Sequence, residues 1–268
     1  MSTARRRPAG TGSSTPPVDG RVHSPLSRRA TVASLLVLTT VTGLVDAMSF
    51  LGLGKVFVAN MTGNVVFLGF SVDRVSGMFP APSLVALAGF LCGALFGGWQ
   101  AVRFPPHPRA WLGVAFGVQG ALLGLVATLL ATGELPRSGH DAYATIAVMA
   151  VAIGMQSSTV RRFAVRDLPT IVVNATLTGL AADSTLAGGI DSRVRRRLAS
   201  VAALLGGAAL GAALVQASPA GLVGLASGLT AAVAFAFAFG GKGGPTGRPR
   251  VTHENPSRVP ASAPSTSV

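Results

Sequence analysis

Between residues 31 and 240 the chain is apolar in blocks. Eight windows can be marked, at approximately 31–51, 56–72, 83–101, 111–132, 142–160, 170–187, 198–217 and 219–240. A helix needs about 20 apolar residues, range 17–25, to cross the hydrocarbon of a bilayer, and most of the windows are that long. Charged residues make up only 12% of the chain, about half the ~25% with which soluble domains wet their surfaces. The pattern predicts an all-α polytopic membrane protein. Windows 56–72 and 170–187 are the shortest and the most polar. The first contains VFVANMTGNVVF, which sets Asn60, Thr62, Gly63 and Asn64 where hydrocarbon should be.

The flanks read differently. Residues 1–30 and 241–268 are rich in Pro, Gly, Ser, Thr and Arg, with too little apolar surface to offset chain entropy, so both are expected to be disordered basic tails. The net charge of +13 comes from 22 Lys and Arg placed in tails and loops. They form no basic face interleaved with aromatics, which argues against nucleic acid as a partner. Cys92 is the single cysteine and lies in an apolar window, so a disulfide within the chain and a cysteine metal cluster are excluded. Ser27-Arg28-Arg29 before an apolar run faintly resembles a twin-arginine export signal, but the run has spanning length and more windows follow it. An uncleaved first helix is the better reading.

The two polar windows correspond. Asn60 and Asn174 stand 114 residues apart, as do Thr62 and Thr176, and in the windows that follow Gly93 and Gly97 match Gly207 and Gly211 at the same offset. The preceding windows agree at 111, Gly43-Leu-Val-Asp against Gly154-Met-Gln-Ser. These coincidences point to duplication, with repeat one at 31–132 and repeat two at 142–240.

Charge then discriminates between topologies. If all eight windows span, the loops on each side carry six Lys or Arg, against the excess expected on the cytoplasmic side. If 56–72 and 170–187 instead enter and leave by one side, the inner loops hold Arg103, Arg109, Arg161, Arg162, Arg166, Arg193, Arg195, Arg196 and Arg197. The outer loops then keep Lys55, Arg74 and Arg137. The second arrangement predicts about six spanning helices plus two re-entrant or broken segments in two inverted repeats, with both termini cytoplasmic, in the cell inner (plasma) membrane. Inverted repeats with broken segments place a substrate site near the midplane in many secondary transporters.

On this reading the β-branched runs before each Asn-x-Thr are extended and free to pair with each other as strands. Asn60 and Asn174 then start short half-helices, since Asn caps exposed N–H groups. The half-helix N-termini would face one hydrated centre that suits an anion or a polar solute. The expected solute-lining residues are Asn60, Thr62, Gly63, Asn64, Asn174, Thr176 and Thr178. Asp46, an acid within a spanning window, is the candidate for proton or cation coupling; Asp183 ranks below it. The same residues also serve as interhelical hydrogen bonds and packing sites in ordinary membrane helices. Gln119 and Gln156 read as helix bridges, and the glycines at spacing four (89, 93, 97; 207, 211) as close helix contacts.

Histidines 23, 107, 140 and 253 all fall in loops or tails. No metal ligand set, cofactor-binding motif or catalytic constellation can be assembled, so an enzyme is not expected. The glycine clusters lack the strand–loop–helix context of a phosphate loop.

Gly43-Leu-Val-Asp46 running on to Asn60-Met-Thr-Gly-Asn64, then Gly154-Met-Gln, Thr170 and Asn174-Ala-Thr-Leu-Thr-Gly, resembles the YoaK family of bacterial membrane proteins over roughly residues 30–240. The resemblance implies several membrane helices and a domain of unknown function with no established substrate. Relatives tend to carry Asn where this chain has Ser157. The half-helix reading is also similar in outline to the sulfate and uracil permease architecture, an analogy of fold. The expected function is a secondary transporter or permease for a small polar or anionic solute; the alternative is a non-transporting scaffold or sensor with its tails on anionic lipid.

Overall fold

The computed structural model describes residues 26–73, 77, 79–103, 108–134, 142–163 and 194–240. Among them are seven helices: α1 (Arg28–Gly52), α2 (Met61–Phe70), α3 (Pro80–Arg103), α4 (Pro108–Thr132), α5 (Ala142–Phe163), α6 (Val194–Ala217) and α7 (Pro219–Phe239). All but α2 are long and apolar enough to cross a membrane. The protein is an all-helical polytopic membrane protein. α2 has 10 residues and rises about 15 Å, half the thickness of a bilayer core. The window 170–187, with Asn174, Thr176, Thr178 and Asp183, lies outside the described residues.

Local chemistry sets several helix ends. The Ser27 hydroxyl accepts from the Ala30 N–H at the start of α1, and Ser218 accepts from Gly221 N–H at the start of α7, where Pro219 needs no donor partner. α1 stops at a tight reversal in which Leu53 N–H bonds Ser49 O and Lys55 N–H bonds Phe50 O. Gly54 and Lys55 take positive φ there, 109° and 59°. That left-handed closure absorbs carbonyls the helix end would otherwise leave bare.

Two apolar cores fix the direction of every long helix. One gathers late α1 (Val41, Val45, Met48), early α3 (Ala86) and late α4 (Leu123, Val126), with early α5 (Ile146, Met149), late α6 (Val215) and early α7 (Leu222). The other gathers early α1 (Leu35, Leu38), early α4 (Trp111, Phe116), late α5 (Val160) and late α7 (Val233, Phe237), with Ala101 of late α3 against it. So α1, α4 and α6 run one way and α3, α5 and α7 the other. The connection from α1 to α3, which contains α2, therefore leaves and returns at the same end of the bundle. Its residues Leu53, Val56, Val58 and Ala59 pack into the first core.

Glycines let helix backbones touch in matched pairs. A Cβ at Gly93 of α3 would collide with the Val151 carbonyl of α5, and one at Gly154 with the Phe90 carbonyl. A Cβ at Gly207 of α6 would meet the Thr40 carbonyl of α1, and one at Gly43 the Leu204 carbonyl. Each member of the first set maps onto the second at 114 residues between α3 and α6, or 111 between α5 and α1. The tight pairs thus join α3 to α5 and α1 to α6, as close small-residue contacts do in lipid. α4 crosses α7 antiparallel, with Gly113 near Ala238, Gly124 near Ser227, and the Ser227 hydroxyl donating to Gly120 O at 2.8 Å.

Candidate functional site: the break before α2

After the reversal at Gly54, the chain turns back alongside α1 as far as Asp46, about two helical turns below the end of α1. It has no helical ladder there and no strand partner among the described residues, so its N–H groups need other acceptors in a place water does not reach freely. Side chains supply them. The Asp46 carboxylate Oδ1 accepts from Val58 N–H at 3.1 Å and Ala59 N–H at 2.8 Å, and the Asn60 N–H also bonds this carboxylate. The Asn64 carboxamide bonds Phe57 on both sides: Phe57 N–H donates to Oδ1 at 3.0 Å and Nδ2 donates to Phe57 O at 2.6 Å. That pairing reproduces one rung of a sheet with a side chain in place of a strand. The expectation of strand pairing is corrected for this segment, because Asp46 and Asn64 already take the groups a strand would use.

Asn60 then starts α2. Its side-chain oxygen accepts from Gly63 N–H at 3.3 Å, as expected of an N-cap. Its backbone oxygen accepts from Asn64 N–H, and Met61 N–H bonds Ala59 O. The Thr62 N–H has no partner among the described residues. Gly63 faces the Phe57 ring and the Asn60 carboxamide so closely that a Cβ would press on both. The Phe57 ring meets Phe50 of α1 at 4.9 Å and Phe67 of α2 at 5.7 Å, and those two rings meet each other at 6.2 Å, a three-ring cluster that ties the returning chain to both helices. α2 rises from the level of Asp46 toward α3, so its N-terminus points into the bundle.

The predicted residues of repeat one therefore form one constellation in two layers. Asp46 is half-buried and Asn64 fully buried, and both hold backbone; Asn60 and Thr62 are exposed, and Gly63 is half-buried between the layers. The Asp46 carboxylate lies at the N-terminus of α2, where negative charge complements the helix dipole. Nearer the end of the bundle a cavity of about 60 Å³ is lined by Lys55, Phe67, Phe79 and Ser83 among others, room for a few waters. No group of three or more potential metal ligands occurs among the described residues.

A second polar feature crosses the bundle. Gln119 Nε2 donates to Gln156 Oε1 at 2.6 Å, and Gln156 Nε2 donates to Thr42 Oγ1 at 3.1 Å and Leu38 O at 3.4 Å. Both glutamines bridge helices. Ser157, which stands 111 residues after Asp46, donates to Ile153 O within its own helix. Sequence reasoning missed the Phe50–Phe57–Phe67 cluster and the Asn64–Phe57 pairing; a spacing of seven reads as two turns of one helix, but the helix begins only at Met61, so periodicity gives no sign of a side chain bonding back to the extended chain before it.

Comparison with known proteins adds a relationship. No solved structure matches the chain. The transmembrane protein YoaK of Bacillus subtilis (strain 168), a UPF0700 protein, is 30% identical over 160 residues, covering 58% of this chain and 67% of that protein. Residues 34–236, which include most of α1 with Asp46, the break and α2, match the family described as protein of unknown function DUF1275, and the chain belongs to that family.

Proposed function

We propose that the protein is a secondary transporter or permease for a small polar solute, with the break at Asn60 as one half of its site. The observation that carries this reading is a half-length helix whose N-terminus points into the bundle, with Thr62 exposed there and its N–H without a partner among the described residues. Backbone broken at such depth is tolerated where it lines a wet cavity or is buried in protein, and transporters use it to bind substrate. Repeat two supplies the other half through Asn174, Thr176 and Thr178. The matched contacts at 111 and 114 residues and the opposite directions of α1 and α5 support two inverted copies. The arginine-rich end faces the cytoplasm, with both termini.

The arrangement refines two features of this reading. Asp46 already gives α2 a negative partner, so the repeat-one half favours a neutral or cationic group, and an anion would have to use repeat two. Asp46 couples a proton or cation by exchanging it against the backbone donors it holds. The two repeats do not move as blocks, since α3 interlocks with α5 and α1 with α6; the bodies that rock are these cross-repeat pairs.

One observation favours a non-transporting scaffold or sensor instead: Asp46 and Asn64 use their polar atoms to hold the chain, which a purely structural break would also need. Cysteine accessibility separates the two. In a Cys92→Ser background, Thr62→Cys should react with a small aqueous thiol reagent in intact cells or inverted vesicles, and Thr176→Cys likewise. Protection of both positions from both sides would favour the scaffold.

A further inference from the structure

α3 has two unlike faces. Ser83, Ala86, Gly89, Gly93, Gly97 and Gln100 are buried, with the glycines of this stripe set against α5. The opposite stripe looks outward: Leu84, Leu91 and Leu95 are exposed, Leu95 by 74%, and Trp99 follows at 56%. Arg103 continues the stripe one turn later as the last residue of the helix, exposed. The Trp99 ring stacks on Phe96 at 5.7 Å. Across a four-residue link, Arg109 stands in the first turn of α4. This is an acyl-length apolar track that ends in Trp99 and Arg103, with the half-buried Arg109 at the same end of the bundle.

Among the described residues, charge at that end of the bundle is one-sided. Arg28, Arg29, Arg103, Arg109, Arg161, Arg162, Arg195, Arg196 and Arg197 all lie there by the helix directions given above. The described carboxylates, Asp46, Asp73 and Glu134, lie toward the other end. We propose that the outer face of α3 is a binding site for an anionic phospholipid, its phosphate held by Arg103 and Arg109 and one acyl chain laid along Trp99, Leu95, Leu91 and Leu84. Guanidinium forks match phosphate oxygens, and a ring such as Trp99 belongs at the level of the headgroup. A second copy is the competing occupant. Two protomers inserted in the same sense and joined through this stripe would bring Arg103 and Arg109 against their own counterparts, a like-charge contact that opposes association.

The test uses the full chain, purified and reconstituted in vesicles, with Trp111→Phe so that Trp99 alone reports. Acyl-brominated phosphatidylglycerol should quench Trp99 more strongly than brominated phosphatidylcholine at equal mole fraction, with a local enrichment of roughly fivefold per arginine engaged. Arg103→Gln with Arg109→Gln should remove the preference, and Lys55→Gln at the opposite end should leave it intact. Equal quenching by the two lipids, or a preference that survives the double variant, would overturn the proposal. So would shielding of Trp99 from both lipids together with a disulfide-linked dimer through the neighbouring exposed Cys92, which would assign the face to a second copy.

Discussion

Asn64 and Asp46 show how single polar side chains make a broken segment possible in lipid. Replacing Asn64 with Leu keeps the volume but leaves Phe57 N–H and C=O unpaired, at a cost of roughly 2–6 kcal/mol for the two groups. The expected result is a clear loss of thermal stability in detergent, and an unchanged midpoint would contradict the assigned hydrogen bonds. Asp46 permits a finer division. Asp46→Leu strips the acceptor from Val58 and Ala59 and should destabilise to a similar extent. Asp46→Asn keeps an oxygen for them and loses only the charge, so it should fold with a smaller loss, about 1 kcal/mol from the helix-end term. If Asp46→Asn and Asp46→Leu destabilise equally, the carboxylate is not the acceptor described. The capping role of Asn60 was legible from the sequence because an Asn before a helical run has a local partner three residues on. The roles of Asp46 and Asn64 were not: Val58 and Ala59, 12 and 13 residues on, meet Asp46 only after the chain reverses at Gly54, and Phe57 meets Asn64 only because the extended chain turns into α2 at Asn60.

Among the elements, the glycines separate two kinds of position. Gly93 and Gly207 admit a neighbouring backbone where a methyl group would collide, whereas nothing stands within 4 Å of a Cβ at Gly98 or Gly206. Gly93→Ala and Gly207→Ala should each cost about 1–3 kcal/mol by forcing α3 from α5 and α6 from α1. Gly98→Ala and Gly206→Ala should be neutral, or stabilising by up to ~1 kcal/mol through helix propensity. Thermal unfolding of the four variants checks this, and equal effects at both kinds of site would refute the interlock. The spacing of four predicted close contact, but which helix each glycine meets depends on packing between segments far apart in the chain. Spanning lengths were legible to within a few residues because hydrocarbon thickness sets them; α6 begins at Val194, ahead of its apolar window, because the arginines at 195–197 continue the helix into the polar layer.

For the molecule as a whole, the alternating directions of the six candidate spans among the described residues, and a connection from α1 to α3 that returns to its own end, follow from which helix ends share a core. The sequence anticipated this through the distribution of arginines, which reports side but not neighbours; the pairing of α3 with α5 and α1 with α6 needed coordinates. The most direct measurement is the sidedness of the two ends of that connection. Single cysteines at Lys55 and Phe79, in a Cys92→Ser background, should be modified by a membrane-impermeant thiol reagent from the same side, together with Glu134→Cys and opposite to Arg103→Cys. Labelling of Lys55→Cys and Phe79→Cys from opposite sides would mean that the segment between them crosses the bilayer, and the half-helix site would be ruled out.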